Sequence, residues 1–174
     1  MVPLSDQDPR RWDCQLIASA RAYLDEGLAI GRWTARLIQA AIHGCWCSRD
    51  SLDEPPPWPD ILRLYDALLR ERGDTIVRLN RLVALAEVAG VPAALGELEA
   101  LEAGPALLSV LPYQALRADL LRRAGRREEA ADAYRVALAL GPGPAEMIWL
   151  RVRLGETERW CPCRTRTRAA GIVS

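Results

Sequence analysis

Residues 112–142 read PYQALRADLLRRAGRREEAADAYRVALALGP, and this stretch decides the fold. Its apolar residues recur at three- and four-residue spacing, which is the period of an α-helix and not of a strand. Gly125 interrupts the pattern once, and glycine is the residue that helices favour just past their C-terminal end. Pro142 ends it, because proline cannot continue a helix. The pattern therefore predicts two helices joined by a short turn.

The second of these helices carries small residues where two helices would meet. Ala130, Tyr134 and Ala137 are spaced at helical intervals, and we expect the alanines to permit close approach while the Tyr134 ring fills the groove between neighbouring hairpins. The spacing resembles the second half of a tetratricopeptide repeat, a helical hairpin with a period of about 34 residues. The first half resembles that repeat less, since Gln114 and Ala118 stand where the repeat has tryptophan and glycine.

Earlier copies of this pattern occur upstream. Ile61, Tyr65 and Leu68 lie 69 positions before Ala130, Tyr134 and Ala137. This distance is about two repeat periods. Gly90 precedes Gly125 by 35 positions and also follows a helical pattern. Three repeat units are therefore predicted.

The whole chain is predicted to be an all-α, tetratricopeptide-like solenoid of about eight helical segments. The expected bounds are 9–29, 33–46, 59–72, 75–89, 92–102, 106–124, 127–140 and 144–158, with a restart of the sixth helix at Pro112. Prolines mark the helix starts at Pro9, Pro59, Pro92, Pro112 and Pro144. Asp8 and Asp74 have the character of N-caps. We expect residues 48–57 to form an extended loop, residues 1–158 a helical repeat domain, and residues 159–174 a poorly ordered tail containing cysteine and arginine.

Several blocks of the sequence resemble the C-terminal extension of bacterial extracytoplasmic-function sigma factors. They are DQDPRRWD at 6–13, QAAIH at 39–43, YDALLR at 65–70, VRLNR at 77–81, RADLLRR at 117–123, GR at 125–126 and AADAYR at 130–135. The resemblance implies a tetratricopeptide-like region that follows two promoter-binding regions and tunes sigma activity by contacts within the protein or with partners. Neither promoter-binding region is present in the chain, so no DNA-contact residue is carried over.

The composition restricts the possible functions. The 174 residues carry zero formal net charge, which argues against electrostatic binding of nucleic acid. All basic residues are arginine, so a Schiff-base lysine and a phosphate-binding P-loop lysine are excluded. A single histidine leaves little room for histidine-based catalysis. No apolar stretch is long enough for a membrane span, the N-terminus lacks the apolar core of a signal peptide, and five cysteines fit a reduced, cytoplasmic protein.

The residues predict a non-enzymatic interaction module without a cofactor. Its partner is expected to be a protein, either sigma promoter-binding regions or RNA polymerase, with no direct DNA or membrane binding by this chain. Polar and aromatic residues at helical spacing suggest a partner-binding groove formed by Tyr65, Asn80, Arg81, Tyr113, Arg117 and Asp119. Two alternatives stay open: a stand-alone tetratricopeptide adaptor without a role in transcription, and a small zinc-binding protein.

The zinc alternative depends on His43, Cys45 and Cys47 together with Cys161 and Cys163. On one helix the Cys45 and Cys47 side chains would point about 200° apart, which is poor geometry for one shared ion. We therefore expect metal analysis of the purified protein to find no stoichiometric zinc. One equivalent of zinc that is lost in Cys45→Ser would contradict this expectation.

Overall fold

The computed structural model describes residue 4, residues 7–101 and residues 104–159. The described residues are in α-helices, in short 3-10 segments and in turns or loops but not in strands, which confirms the prediction of an all-α protein. The chain divides into two compact units, Met1–Ala103 and Gly104–Ser174, and each is treated by itself below. The predicted tail lies outside the described residues from position 160 onward.

The first unit contains five described helices that form consecutive pairs. They are α1 (Cys14–Ala29), α2 (Ala35–Trp46), α3 (Trp58–Glu71), α4 (Thr75–Val88) and α5 (Val91–Ala100). Each helix packs against the next one along the chain, with the loosest packing between α1 and α2. The loop expected at 48–57 connects α2 to α3.

The first helix begins at Cys14 and not at Pro9, so the predicted segment 9–29 is wrong in its first part. Asp13 adopts an extended backbone and its carboxylate accepts hydrogen bonds from the backbone N–H groups of Gln15 and Leu16, which starts α1 there. Pro9 instead opens the 3-10 turn Pro9–Arg11. Asp8, predicted as the N-cap of the first helix, caps only this turn, by accepting from the Arg10 N–H.

The core of the first unit forms where α2, α3 and α4 meet. Ile38 and Ile42 of α2, Leu68 of α3 and Val77 of α4 are each at most 5% exposed and make one apolar cluster. The predicted cap Asp74 fixes the start of α4 by accepting from the Val77 N–H at 2.9 Å. Val77 therefore takes part both in the N-terminal cap of α4 and in the apolar core of the first unit.

The second unit contains four described helices: α6 (Pro105–Leu108), α7 (Leu111–Arg123), α8 (Arg127–Ala139) and α9 (Pro144–Arg159). The restart of the sixth helix predicted at Pro112 is confirmed to within one residue, since α7 begins at Leu111. The described residues consequently show nine helices where eight were expected, because the sixth is split. Gln114 Nε2 bridges this split by donating to the Leu108 carbonyl at 2.8 Å.

The turn between α7 and α8 depends on Gly125. Gly125 has φ +79°, a left-handed conformation that glycine adopts with little strain. Its N–H donates to the Arg122 carbonyl, and the next N–H, of Arg126, donates to the Leu121 carbonyl, which is a complete Schellman motif. Beyond the turn, Ala130, Tyr134 and Ala137 are fully buried. The helical-hairpin fold class is thus confirmed in this unit by the residues that predicted it.

Replacing Gly125 with alanine should lower the free energy of unfolding by about 1–2 kcal/mol, because a Cβ is disfavoured at positive φ. Gly96, inside α5, is the matched control: an added Cβ meets no atom within 4 Å at either position, but only Gly125 has positive φ. Gly96→Ala should raise stability by about 0.5–1 kcal/mol. Urea denaturation of both variants checks the prediction, and two changes of the same sign would contradict it.

Candidate partner-binding surface

The six predicted groove residues are divided equally between the two units. Tyr65 lies on α3 and Asn80 and Arg81 lie on α4 of the first unit. Tyr113, Arg117 and Asp119 all lie on α7 of the second unit. Each set is therefore described within its own unit.

Arg81 joins three helices of the first unit. Its Nε donates to Asp66 Oδ1 on α3 at 2.5 Å, and its Nη1 donates to Glu97 Oε2 on α5 at 2.7 Å. The hydrogen bond with Asp66, supported by the charges of both carboxylates, raises the pKa of Arg81 above its ordinary value. The side chain is 21% exposed, so this charged link is accessible at the surface while being held in place by its partners.

A small groove of about 130 Å³ lies beside this ion network. It is lined by Leu69, Arg78, Arg81, Leu82, Glu97 and Leu101. Arg78 and Asn80 are exposed, whereas Tyr65 is half-buried and packs against the core cluster, where burial raises the pKa of its hydroxyl. The groove therefore offers apolar walls next to a neutralised ion network and the exposed Arg78, a combination that suits contacts with a polypeptide.

In the second unit, the three predicted residues differ in exposure. Tyr113 is buried, with 4% of its surface exposed, so its ring contributes to the core of that unit. Asp119 accepts from Arg122 Nη2 at 2.6 Å and lies 3.9 Å from Arg123 Nη1. Arg117 is half-buried. Asp119 and Arg117 thus remain at the surface of α7, and Tyr113 does not.

Tyr134 adds a buried polar group to the core of the second unit. Its ring is fully buried, and its hydroxyl lacks a hydrogen-bond partner of good geometry, although the Arg122 guanidinium is close enough to act on it. Burial, reinforced by the charge of Asp119, raises the pKa of Tyr134 to about 12. The hydroxyl therefore stays neutral at physiological pH, and the residue acts in packing, as expected from the repeat pattern.

A larger open groove, of about 520 Å³, lies on the first unit. It is lined by Trp33, Ile38, Asp60, Arg63, Leu64, Ala67, Arg70 and Glu71. Trp33 is 52% exposed. Other tryptophans are packed: Trp46 and Trp58 stand edge to face with ring centroids 5.2 Å apart, and Arg153 lies over the Trp149 ring. None of the six residues predicted to form a partner-binding groove lines this one.

The candidate zinc ligands do not assemble among the described residues. His43 is exposed, and Cys45 and Cys47 are half-buried at the end of α2. Burial raises the pKa of the Cys45 thiol, which opposes the thiolate form that binds metals. The described part of the chain contains no cluster of three potential ligands. Cys161 and Cys163 lie outside it.

One surface was not anticipated from the sequence. Leu16 and Tyr23 of α1 and Ile30 at its C-cap are 69%, 74% and 73% exposed, and α1 buries none of its residues. The seven-residue spacing was present in the sequence, but spacing alone does not say whether a stripe is covered. None of the helices in the described residues combines the length and hydrophobicity that crossing a bilayer requires.

Comparison with known proteins finds a relative in Rhizobium meliloti (strain 1021). This uncharacterized protein is 36% identical to the chain over 154 residues, which are 88% of the chain and 36% of the relative. The chain thus spans about a third of the length of the relative it matches. No protein-family model matches the chain, and no solved structure matches it significantly.

The ion network around Arg81 predicts a specific stability effect. Arg81→Ala removes charged hydrogen bonds to two neighbouring helices and should lower the free energy of unfolding by about 1–2 kcal/mol. Arg78→Ala, on the same helix and in the same groove but exposed, should change it by less than about 0.5 kcal/mol. Equal losses in the two variants, measured by urea denaturation, would show that the network does not stabilise the unit.

Proposed function

We propose that the chain is a non-enzymatic protein-interaction module, related to the C-terminal regulatory extension of a sigma factor, that acts in transcription regulation in the cytoplasm. One observation carries the proposal. Four of the sequence blocks that resemble the extension contain buried packing residues of α3, α4, α7 and α8. Leu68 lies in the block on α3, Val77 in that on α4, Leu120 in that on α7 and Tyr134 in that on α8, and all four are buried.

The geometry is compatible with a docking role. Each unit is built from helices that pack against their neighbours in the chain, so their outer faces remain available. In the first unit, Arg81 is held between Asp66 and Glu97 beside a groove with apolar walls. The carboxylates of Asp66 and Glu97 already neutralise Arg81, so the exposed Arg78 in the same groove is the cation that favours recognition of a carboxylate or a helix C-terminus on a partner.

The R. meliloti relative supports the proposal in one respect. The matched segment is 36% of that protein, so a helical region of this kind occurs there beside a larger remainder. An accessory region in a longer chain is the arrangement that the resemblance implies. The remainder would then correspond to the promoter-binding part.

Transcription in vitro tests this function. Core RNA polymerase of R. meliloti should start at new sites on genomic DNA when the full-length relative is added. Deleting the matched segment should change the output from those sites several-fold, because the regulatory contacts are lost. Inserting this 174-residue chain in place of the segment should restore the original output, whereas a flexible linker of equal length should not.

If RNA polymerase starts at no new sites when the full-length relative is added, the proposed relation to sigma factors is wrong. A stand-alone adaptor then becomes the better interpretation. If new sites appear but the deletion leaves their output unchanged, the helical region has no regulatory role in transcription.

A further inference from the structure

The small groove of about 130 Å³ in the first unit contains two arginines in different surroundings. Arg81 donates to Asp66 on α3 at 2.5 Å and to Glu97 on α5 at 2.7 Å, so two carboxylates flank its guanidinium. Arg78 lies three residues earlier on α4, which places it one helical turn away on the same face. Its side chain is exposed and forms no ion pair within the part of the chain that the structure describes.

The neighbouring helices present leucines to Arg78 where they present carboxylates to Arg81. Connections of only three and two residues join α3 and α5 to α4, so both helices run antiparallel to it. One turn toward the start of α4 therefore corresponds to one turn toward the ends of α3 and α5. Leu69 and Leu101 occupy these positions, three and four residues after the carboxylates that bind Arg81, and both line the groove with Arg78. Arg78 thus repeats the arrangement of Arg81 without its two counter-ions.

These surroundings define the chemistry of a ligand. A carboxylate would supply the charge that Arg78 lacks, and an apolar group would contact Leu69, Leu82 and Leu101, of which Leu82 is already 3% exposed. An ion pair with an exposed arginine contributes little by itself, so the apolar contact has to supply much of the affinity. The groove therefore favours a ligand in which a carboxylate and an apolar group stand side by side.

The dimensions of the groove favour a side chain of a longer molecule. At about 30 Å³ per water molecule the groove has room for about four waters, which is the size of one branched apolar side chain. Its rims stay in solvent, since Arg78 is exposed and the Glu97 side chain is 52% exposed. Small-molecule sites bury most of their ligand. An open groove of this size instead suits one anchor residue of a polypeptide.

We infer that the small groove recognises a polypeptide segment in which a leucine-sized apolar side chain stands next to a carboxylate. That the segment belongs to a protein partner rests on the proposed function. The combination of a carboxylate with an apolar side chain follows from the groove itself.

NMR titration of the ¹⁵N-labelled 174-residue chain tests the inference. The probe is the capped dipeptide acetyl-Leu-Asp-amide, and acetyl-Leu-Asn-amide is its uncharged counterpart. The aspartyl probe should shift the Arg78 Nε–H signal and the backbone amides of Leu69 and Leu101, with a Kd on the order of 1 mM for so small a ligand. The asparaginyl probe should bind about tenfold more weakly, and added salt should weaken only the aspartyl probe, because exposed charges are screened.

Three variants locate the binding site. Arg78→Gln should lower the affinity for the aspartyl probe about tenfold, because the charged hydrogen bond is lost. Leu101→Glu should have the same effect by giving Arg78 the kind of carboxylate that Glu97 gives Arg81. Arg70→Gln is the matched control, since Arg70 is also an exposed arginine but lies outside this groove, and it should leave the affinity unchanged. Arg78→Gln replaces an exposed side chain, so it decides the matter even if the Leu101→Glu chain does not fold.

Three results would overturn the inference. They are the absence of saturable shifts well above the expected Kd, equal affinity of the Arg78→Gln variant and the unchanged chain, and binding of isocaproate about tenfold tighter than the dipeptide. The last result would make the groove a site for small organic acids. Dipeptide binding without restored output in the transcription experiment would refute the proposed function but keep the recognition site. Restored output with a chain that does not bind the dipeptide would do the reverse.

Discussion

Burial of each helix's apolar stripe against the next helix in the chain is the constraint on which both units depend. In the first unit, Ile38, Leu68 and Val77 come from three successive helices and meet in one cluster. In the second, the fully buried Tyr134 belongs to a helix that packs against both of its neighbours. Because these contacts are mostly between sequential helices, each unit is assembled from local pairings, and the outer helix faces are free for other roles.

Charge is used differently inside and between helices. Many ion pairs join residues three apart on one helix, as Arg63 does with Asp60 and Arg153 with Glu156, and such pairs contribute little each. Arg81 instead connects neighbouring helices through Asp66 and Glu97. This local pairing is consistent with the zero formal net charge of the chain. It is also compatible with a protein partner, the partner that we propose.

The predicted surface residues show how far sequence reasoning extends to a site. A polar residue at helical spacing without an evident core role predicts a surface position for Arg81, and the structure shows its partners, which lie 15 and 16 residues away along the chain. Helical spacing predicts a groove position for Tyr113 too, but Tyr113 is buried. Spacing reports which face of a helix a residue occupies, but it does not report which neighbour covers that face. For the same reason, the sequence does not show that the apolar stripe of α1 is exposed.

The sequence by itself determined the all-α class, the turn at Gly125, the restart near Pro112 and the cap Asp74. These depend on local backbone preferences, namely the freedom of glycine at positive φ, the missing N–H of proline and the carboxylate that satisfies a free N–H. Only the tertiary structure decided that Asp13 starts α1, that Arg81 binds two carboxylates and that Leu16, Tyr23 and Ile30 stay uncovered. The start of α1 depends on a choice between two competing caps, Asp8 and Asp13. The partners of Arg81 and the exposure of the apolar stripe depend on which helices meet, because burial is a property of neighbours in space and not of neighbours in sequence.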